Sequence, residues 1–81
     1  MDIRKGTVVR STAGHDKGEL LLVVGFESNM ALICDGRQRP LERPKKKNPK
    51  HIQATSYELT QDEIATNRRL KKALFHLEHD N

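Results

Sequence analysis

The chain has 81 residues, 35% apolar and 32% charged, with one Tyr, two Phe, no Trp and a formal net charge of +4. That is one domain near the lower size limit for a self-sufficient core, and the single cysteine, Cys34, excludes an internal disulfide framework and fits a reducing compartment. No apolar run approaches the ~20 residues of a membrane span, and residues 1–6 lack the apolar centre of a signal peptide, so a soluble cytoplasmic protein with no membrane contact is expected.

In chain order, Thr7 to Arg10 is β-branched, follows Gly6, and predicts a first strand. Leu20 to Phe26 is rich in Leu and Val and predicts a second, buried on much of both faces. Gly25 inside it suggests a bulge or sharp bend of the kind small barrels need to close. Ser28-Asn29 signals a tight turn, and Met30 to Gly36 predicts a third strand ended by Asp35-Gly36. Two further short strands are expected around Leu41 and over His51 to Tyr57. Between them, prolines at 40, 44 and 49 favour a loop or a sheet edge.

After Tyr57 the period changes. Thr60 and Glu63 have the spacing of a capping box, with Leu59 and Ile64 at the two positions of a hydrophobic staple. Ile64, Leu70, Leu74 and Leu77 fall close to one helical face, and Arg68, Arg69, Lys71 and Lys72 fill much of the rest. The pattern predicts a helix from 60 to about 78. The expected architecture is mostly β: a small barrel of four to five short strands over residues 1–58, then one C-terminal amphipathic helix over 59–81 packed on the same domain.

Charge is unevenly placed. Residues 37–50 hold seven of the fifteen Lys and Arg, namely Arg37, Arg39, Arg43, Lys45, Lys46, Lys47 and Lys50, against one acid, Glu42. A run of this kind is expected to stay solvated and to contribute little to folding. Most solvated faces mix both signs, however, so a block this one-sided points to a polyanion. RNA is favoured over DNA, because no helix-turn-helix or zinc spacing is present and a cationic loop can follow irregular RNA folds. With three aromatic residues, base stacking is not expected to be the main source of affinity.

The loop between the first two strands offers a second set of contacts. Gly14 and Gly18 suit positive φ, Asp16 can bond within the turn, and Lys17 projects from the tip. Arg10, Ser11 and His15 can donate to phosphate or ribose. An ordinary polar hairpin would use the same glycines and aspartate. Arg68, with its cationic helix neighbours, either extends the basic surface or is a solvated helix exterior.

Little else suggests chemistry. His76 and His79 could share a metal with Asp80, but no other ligands stand at a suitable spacing. Cys34 reads as an inert buried thiol. No nucleophile–base pair or phosphate-binding loop is visible, so neither an enzyme nor a cofactor or metal is expected.

The run "KGTVVRSTAGHDKGELLLVVG" resembles the KOW motif, a glycine-centred segment of ribosomal proteins and transcription elongation factors. Its form is similar to a bacterial KOW-domain group related to an archaeal and eukaryotic large-subunit ribosomal protein. Gly6, Val8, Val9, Ser11, Ala13, Gly14, Asp16, Lys17 and Gly18 carry that likeness. It is specific over residues 4–25 and weaker through Asp35. Thr66 to Leu74 also looks like that group's C-terminal helix, whereas Lys45 to Lys50 resembles its basic loop only in composition. The resemblance implies an SH3-like barrel and a ribosome-associated RNA-binding module, monomeric when free. Its partners would be large-subunit ribosomal RNA and ribosomal proteins. The alternative it leaves open is a KOW module that binds proteins of the transcription or translation machinery.

Overall fold

The structure, a computed structural model, describes residues 2–79. Five strands form one antiparallel sheet: β1 (Thr7–Ser11), β2 (Leu20–Glu27), β3 (Met30–Cys34), β4 (Lys45–Lys47) and β5 (Ile52–Glu58), in the order β4-β3-β2-β1-β5. One helix, α1 (Asn67–His79), follows.

Alternation along the strands builds two apolar layers. Val8, Leu20, Leu22 and Cys34 point to one face, where Leu70 and Leu74 of α1 meet them. Val9, Leu21, Val23, Ala31, Ile33 and Ile52 point to the other and pack among themselves. This second layer has no helix over it, so the sheet must fold around its own side chains. The connection between the edge strands requires the same curvature. In a flat five-stranded sheet β4 and β5 would lie ~19 Å apart, at ~4.8 Å per strand. Only Asn48 and a 3-10 turn over Pro49–His51 join them, and such a turn rises ~2 Å per residue. The sheet therefore curls until its edges approach. Lys47 Nζ of β4 donates to the Ala13 carbonyl beside β1 at 2.8 Å, across that closure, while Thr12 N donates to the His51 carbonyl at 2.9 Å and extends the β1–β5 ladder.

The bulge sits where Gly25 suggested it: β2–β3 register shifts between Val23 and Gly25. The Ser28-Asn29 turn is also as expected, both residues having positive φ (51° and 65°), which matches a two-residue hairpin.

Several features differ from the sequence reading. The third strand stops at Cys34, because the buried Asp35 carboxylate accepts from the amides of Arg37 and Arg39 and turns the chain there. No strand forms around Leu41, which lies at a turn closed by Arg43 N on the Pro40 carbonyl and packs against the helix-side layer. The fourth strand lies instead within the basic run, at Lys45–Lys47, pairing with Ala31–Ile33. Pro44 is tolerated there because it precedes an edge strand.

The helix begins at Asn67, not at 60. The capping box does form, with Glu63 Oε1 accepting from Thr60 N at 2.9 Å and Thr60 Oγ1 accepting from Glu63 N at 3.3 Å, but it closes a separate turn. A second cap takes over: Thr66 Oγ1 accepts from Arg69 N, and the Thr66 carbonyl accepts from Leu70 N. The break lets Leu59 and Ile64 reach the helix-side layer, which Leu70, Leu74 and Leu77 join from α1. Asn67 ties this start to the β3–β4 connection, accepting from Leu41 N at 2.7 Å and donating to Glu42 Oε1 at 2.7 Å. Gly36 packs so closely here that a Cβ would lie 2.5 Å from the Asn67 carbonyl oxygen.

Candidate nucleic-acid interface

The β1–β2 loop, residues 12–19, is organised from within. Ser11 N donates to the Glu19 carbonyl, Gly18 N to the Ser11 carbonyl and Glu19 N to the Asp16 carbonyl. The turn needs Gly14 and Gly18 at φ of 88° and 90°, a region costly for residues with a Cβ. At its centre, Asp16 Oδ1 accepts from Ser11 Oγ at 2.6 Å and from Lys47 Nζ at 2.8 Å. The Ala13 carbonyl also accepts from Lys47 Nζ and lies 2.9 Å from Ser11 Oγ. Partial burial pushes the Asp16 carboxyl up, but the bonds from Lys47 and Ser11 and the Lys47 charge outweigh it and hold it below the usual carboxylate range.

Two candidate contacts are therefore inside the fold. Ser11 is 2% exposed and Lys47 is 8% exposed, and each spends its donors on the loop. Lys47 is the one member of the basic run that holds the structure together, against the expectation that the whole run stays solvated. Its bonds to Asp16 and the Ala13 carbonyl hold it inward at the β1–β2 loop, while Lys45, on the same face but beyond that loop's acceptors, and Lys46 on the other are exposed.

The other candidates are at the surface in differing states. Arg10 donates to the Gly18 carbonyl and pairs with Glu78 at 3.1 Å, so it ties the loop to the helix. The Arg10 bond holds the Glu78 carboxyl below its ordinary value. Arg37 lies 3.7 Å from Glu19, and Lys46 lies 2.8 Å from Glu27, whose carboxyl it holds down. Lys17, Arg39, Arg43, Lys45, Lys50 and Arg68 have no ion-pair partner among the described residues. His15 and Lys17 stand exposed on the β1–β2 loop. Because that loop, β4 and the 3-10 turn meet at the curl of the sheet, Lys17, Lys45 and Lys50 come from segments the fold gathers at one region.

Cys34 is buried, donates to the Pro40 carbonyl at 3.5 Å, and has its thiol pushed up to about 11, mainly by burial and then by the Asp35 and Glu42 charges. His76 and His79 lie on α1, while Asp80 falls outside the described residues. Among the described residues no group of three metal-ligating side chains occurs, and no helix is long and apolar enough to cross a membrane. No protein-family profile matches the chain, and no curated protein matches it.

The Ser11–Asp16–Lys47 cluster was beyond sequence reasoning, since Asp16 and Lys47 are 31 residues apart and nothing local pairs them. Exposed Phe75 was missed as well; its place on the polar side of α1, at heptad spacing from Arg68, was the available signal.

Proposed function

We propose that this chain is a cytoplasmic RNA-binding module of the KOW type, a curled SH3-like barrel rather than an enzyme, which docks on structured ribosomal RNA. Two features support the barrel: edge strands joined by one short turn, and a self-packed apolar layer inside the curl. The motif-bearing residues 6–25 form the β1–β2 hairpin with glycines at its positive-φ positions. The observation that carries the function is the set of cations without acid partners among the described residues. Lys17, Arg39, Arg43, Lys45 and Lys50 come from separate segments of a domain whose exposed acids Glu19, Glu27, Glu58 and Glu78 are engaged in ion pairs.

Cations left unpaired in this way bind phosphates and release counterions. Binding to a structured ribosomal RNA fragment should therefore fall by roughly 10³ between about 50 and 200 mM salt. Exchanging Lys45 and Lys50 for Gln should weaken binding and reduce the salt slope by about 1 per residue, with folding unaltered. An affinity indifferent to salt and to both substitutions would refute the reading and favour protein contacts instead.

A further inference from the structure

One groove reaches the basic run only at Arg37. It opens between α1, the end of the β1–β2 loop and the start of the β3–β4 connection, with a volume of about 780 Å³. Leu20 and Leu74 supply apolar surface, and Phe75 lines the groove while 59% exposed, the most exposed large apolar side chain among the described residues. The Phe75 ring has His79 beside it, with ring centroids 4.3 Å apart and planes tilted by 40°. Arg68, Lys71 and Lys72 line the same groove from α1.

This charge placement works against the helix. The first turn of α1 contains no acidic residue and carries Arg68 and Arg69 at the end where the helix dipole is already positive. Arg69 is offset by an ion pair with Asp62, but Arg68, Lys71 and Lys72 have no partner among the described residues. Local choices that oppose stability, beside an aromatic ring left in water, are expected where a surface is shaped by binding. The positive helix end and three uncompensated cations fit phosphate, and the exposed ring fits the flat face of a base. The wall carboxylates are already engaged, Glu19 with Arg37, Glu78 with Arg10 and Asp35 with the Arg37 and Arg39 amides, which leaves Arg68, Lys71 and Lys72 free for discrete phosphates.

We propose that this groove takes one unpaired nucleotide of the bound RNA, its base stacked on Phe75 and its phosphates held by Arg68, Lys71 and Lys72. The inference rests on the RNA-binding reading above and adds a recognition element to it: a preference for RNA with a bulged or looped-out base.

The test uses the full chain and two short RNA hairpins, identical except that one carries a single bulged 2-aminopurine. The bulged hairpin should bind tighter by roughly tenfold, the scale of one base–aromatic stack, with its fluorescence quenched on binding. Phe75→Ala should abolish preference and quenching while leaving the affinity for the paired hairpin unchanged. Since Phe75 is exposed, an unchanged melting temperature should accompany the loss. Equal binding of the two hairpins by the native protein, or a preference that survives Phe75→Ala, would overturn the groove assignment and leave the RNA reading standing. Failure of the native protein to bind either hairpin or a ribosomal RNA fragment would remove both. Binding to phosphatidylglycerol vesicles that needs Phe75, with no bulge preference, would overturn the proposal in favour of a lipid surface.

Discussion

Lys47→Gln should damage the fold, whereas Lys45→Gln, two residues away on the same strand, should not. The Lys47 and Asp16 side chains are 9% and 19% exposed, and Lys47 Nζ reaches both Asp16 Oδ1 and the Ala13 carbonyl at 2.8 Å. Removing the ammonium leaves a largely buried carboxylate with Ser11 as its remaining side-chain donor. Ser11 has one hydroxyl proton to divide between Asp16 and Ala13, so one acceptor goes short. Stranding one partner of a fully buried pair costs ~3–5 kcal/mol. Some access to water at Asp16 lowers this to about 2–4 kcal/mol, which is ~10–25 °C in Tm for a domain of this size. Lys45 is exposed and unpaired, and its loss should stay within ~0.5 kcal/mol. The Lys46–Glu27 pair is over half exposed on both sides and screened by water, so Lys46→Gln should melt close to Lys45→Gln.

Thermal and urea unfolding followed by circular dichroism would rank the three. The Asp16 carboxyl titrates lower in the folded chain than in the unfolded one. Its contribution is therefore complete above the unfolded value of ~3.9 and disappears as pH falls through the folded one. The gap between the native protein and Lys47→Gln should accordingly close on acidification below about pH 4. Equal melting temperatures for Lys45→Gln and Lys47→Gln, or a gap that persists in acid, would refute the buried-pair account.

Three further outcomes follow from other parts of the fold. Gly36→Ala should cost about 2–4 kcal/mol, since its Cβ would meet the Asn67 carbonyl at 2.5 Å and φ is 80°; Gly18→Ala, with φ of 90° but nothing within 4 Å, should cost only about 1–2 kcal/mol in urea titrations. Leu74→Ala should lose about 2–4 kcal/mol, because Leu74 is 7% exposed within the helix-side layer; native-state amide exchange over 68–76 should be slow, and random-coil rates would show the helix is not docked. Cys34, buried with its thiol raised to about 11, should resist alkylation at mildly alkaline pH until the chain unfolds; labelling of the native protein at the rate of a free thiol would contradict its burial.

Features specified by neighbouring residues were legible without the structure. β-Branched and Leu/Val-rich runs marked β1 to β3, Ser28-Asn29 marked the β2–β3 hairpin, and Gly25 marked the bulge, because each depends on the local backbone. The apolar stripe of Leu70, Leu74 and Leu77 marked α1 for the same reason. Its start did not follow, because Thr60–Glu63 and Thr66–Arg69 are both valid caps, and only packing of Leu59 and Ile64 against the sheet selects the second. Lys47 looked like its neighbours because inwardness on a three-residue edge strand is set by a partner strand. Its counter-charge, Asp16, comes within reach only when the sheet curls. The same closure sets the β1–β2 loop against β4 through Lys47, and the docking of α1 places Phe75 and its cations along one groove. Composition announced a basic protein; which cations serve the fold and which stay without an acid partner was decided by long-range pairing, which no local pattern encodes.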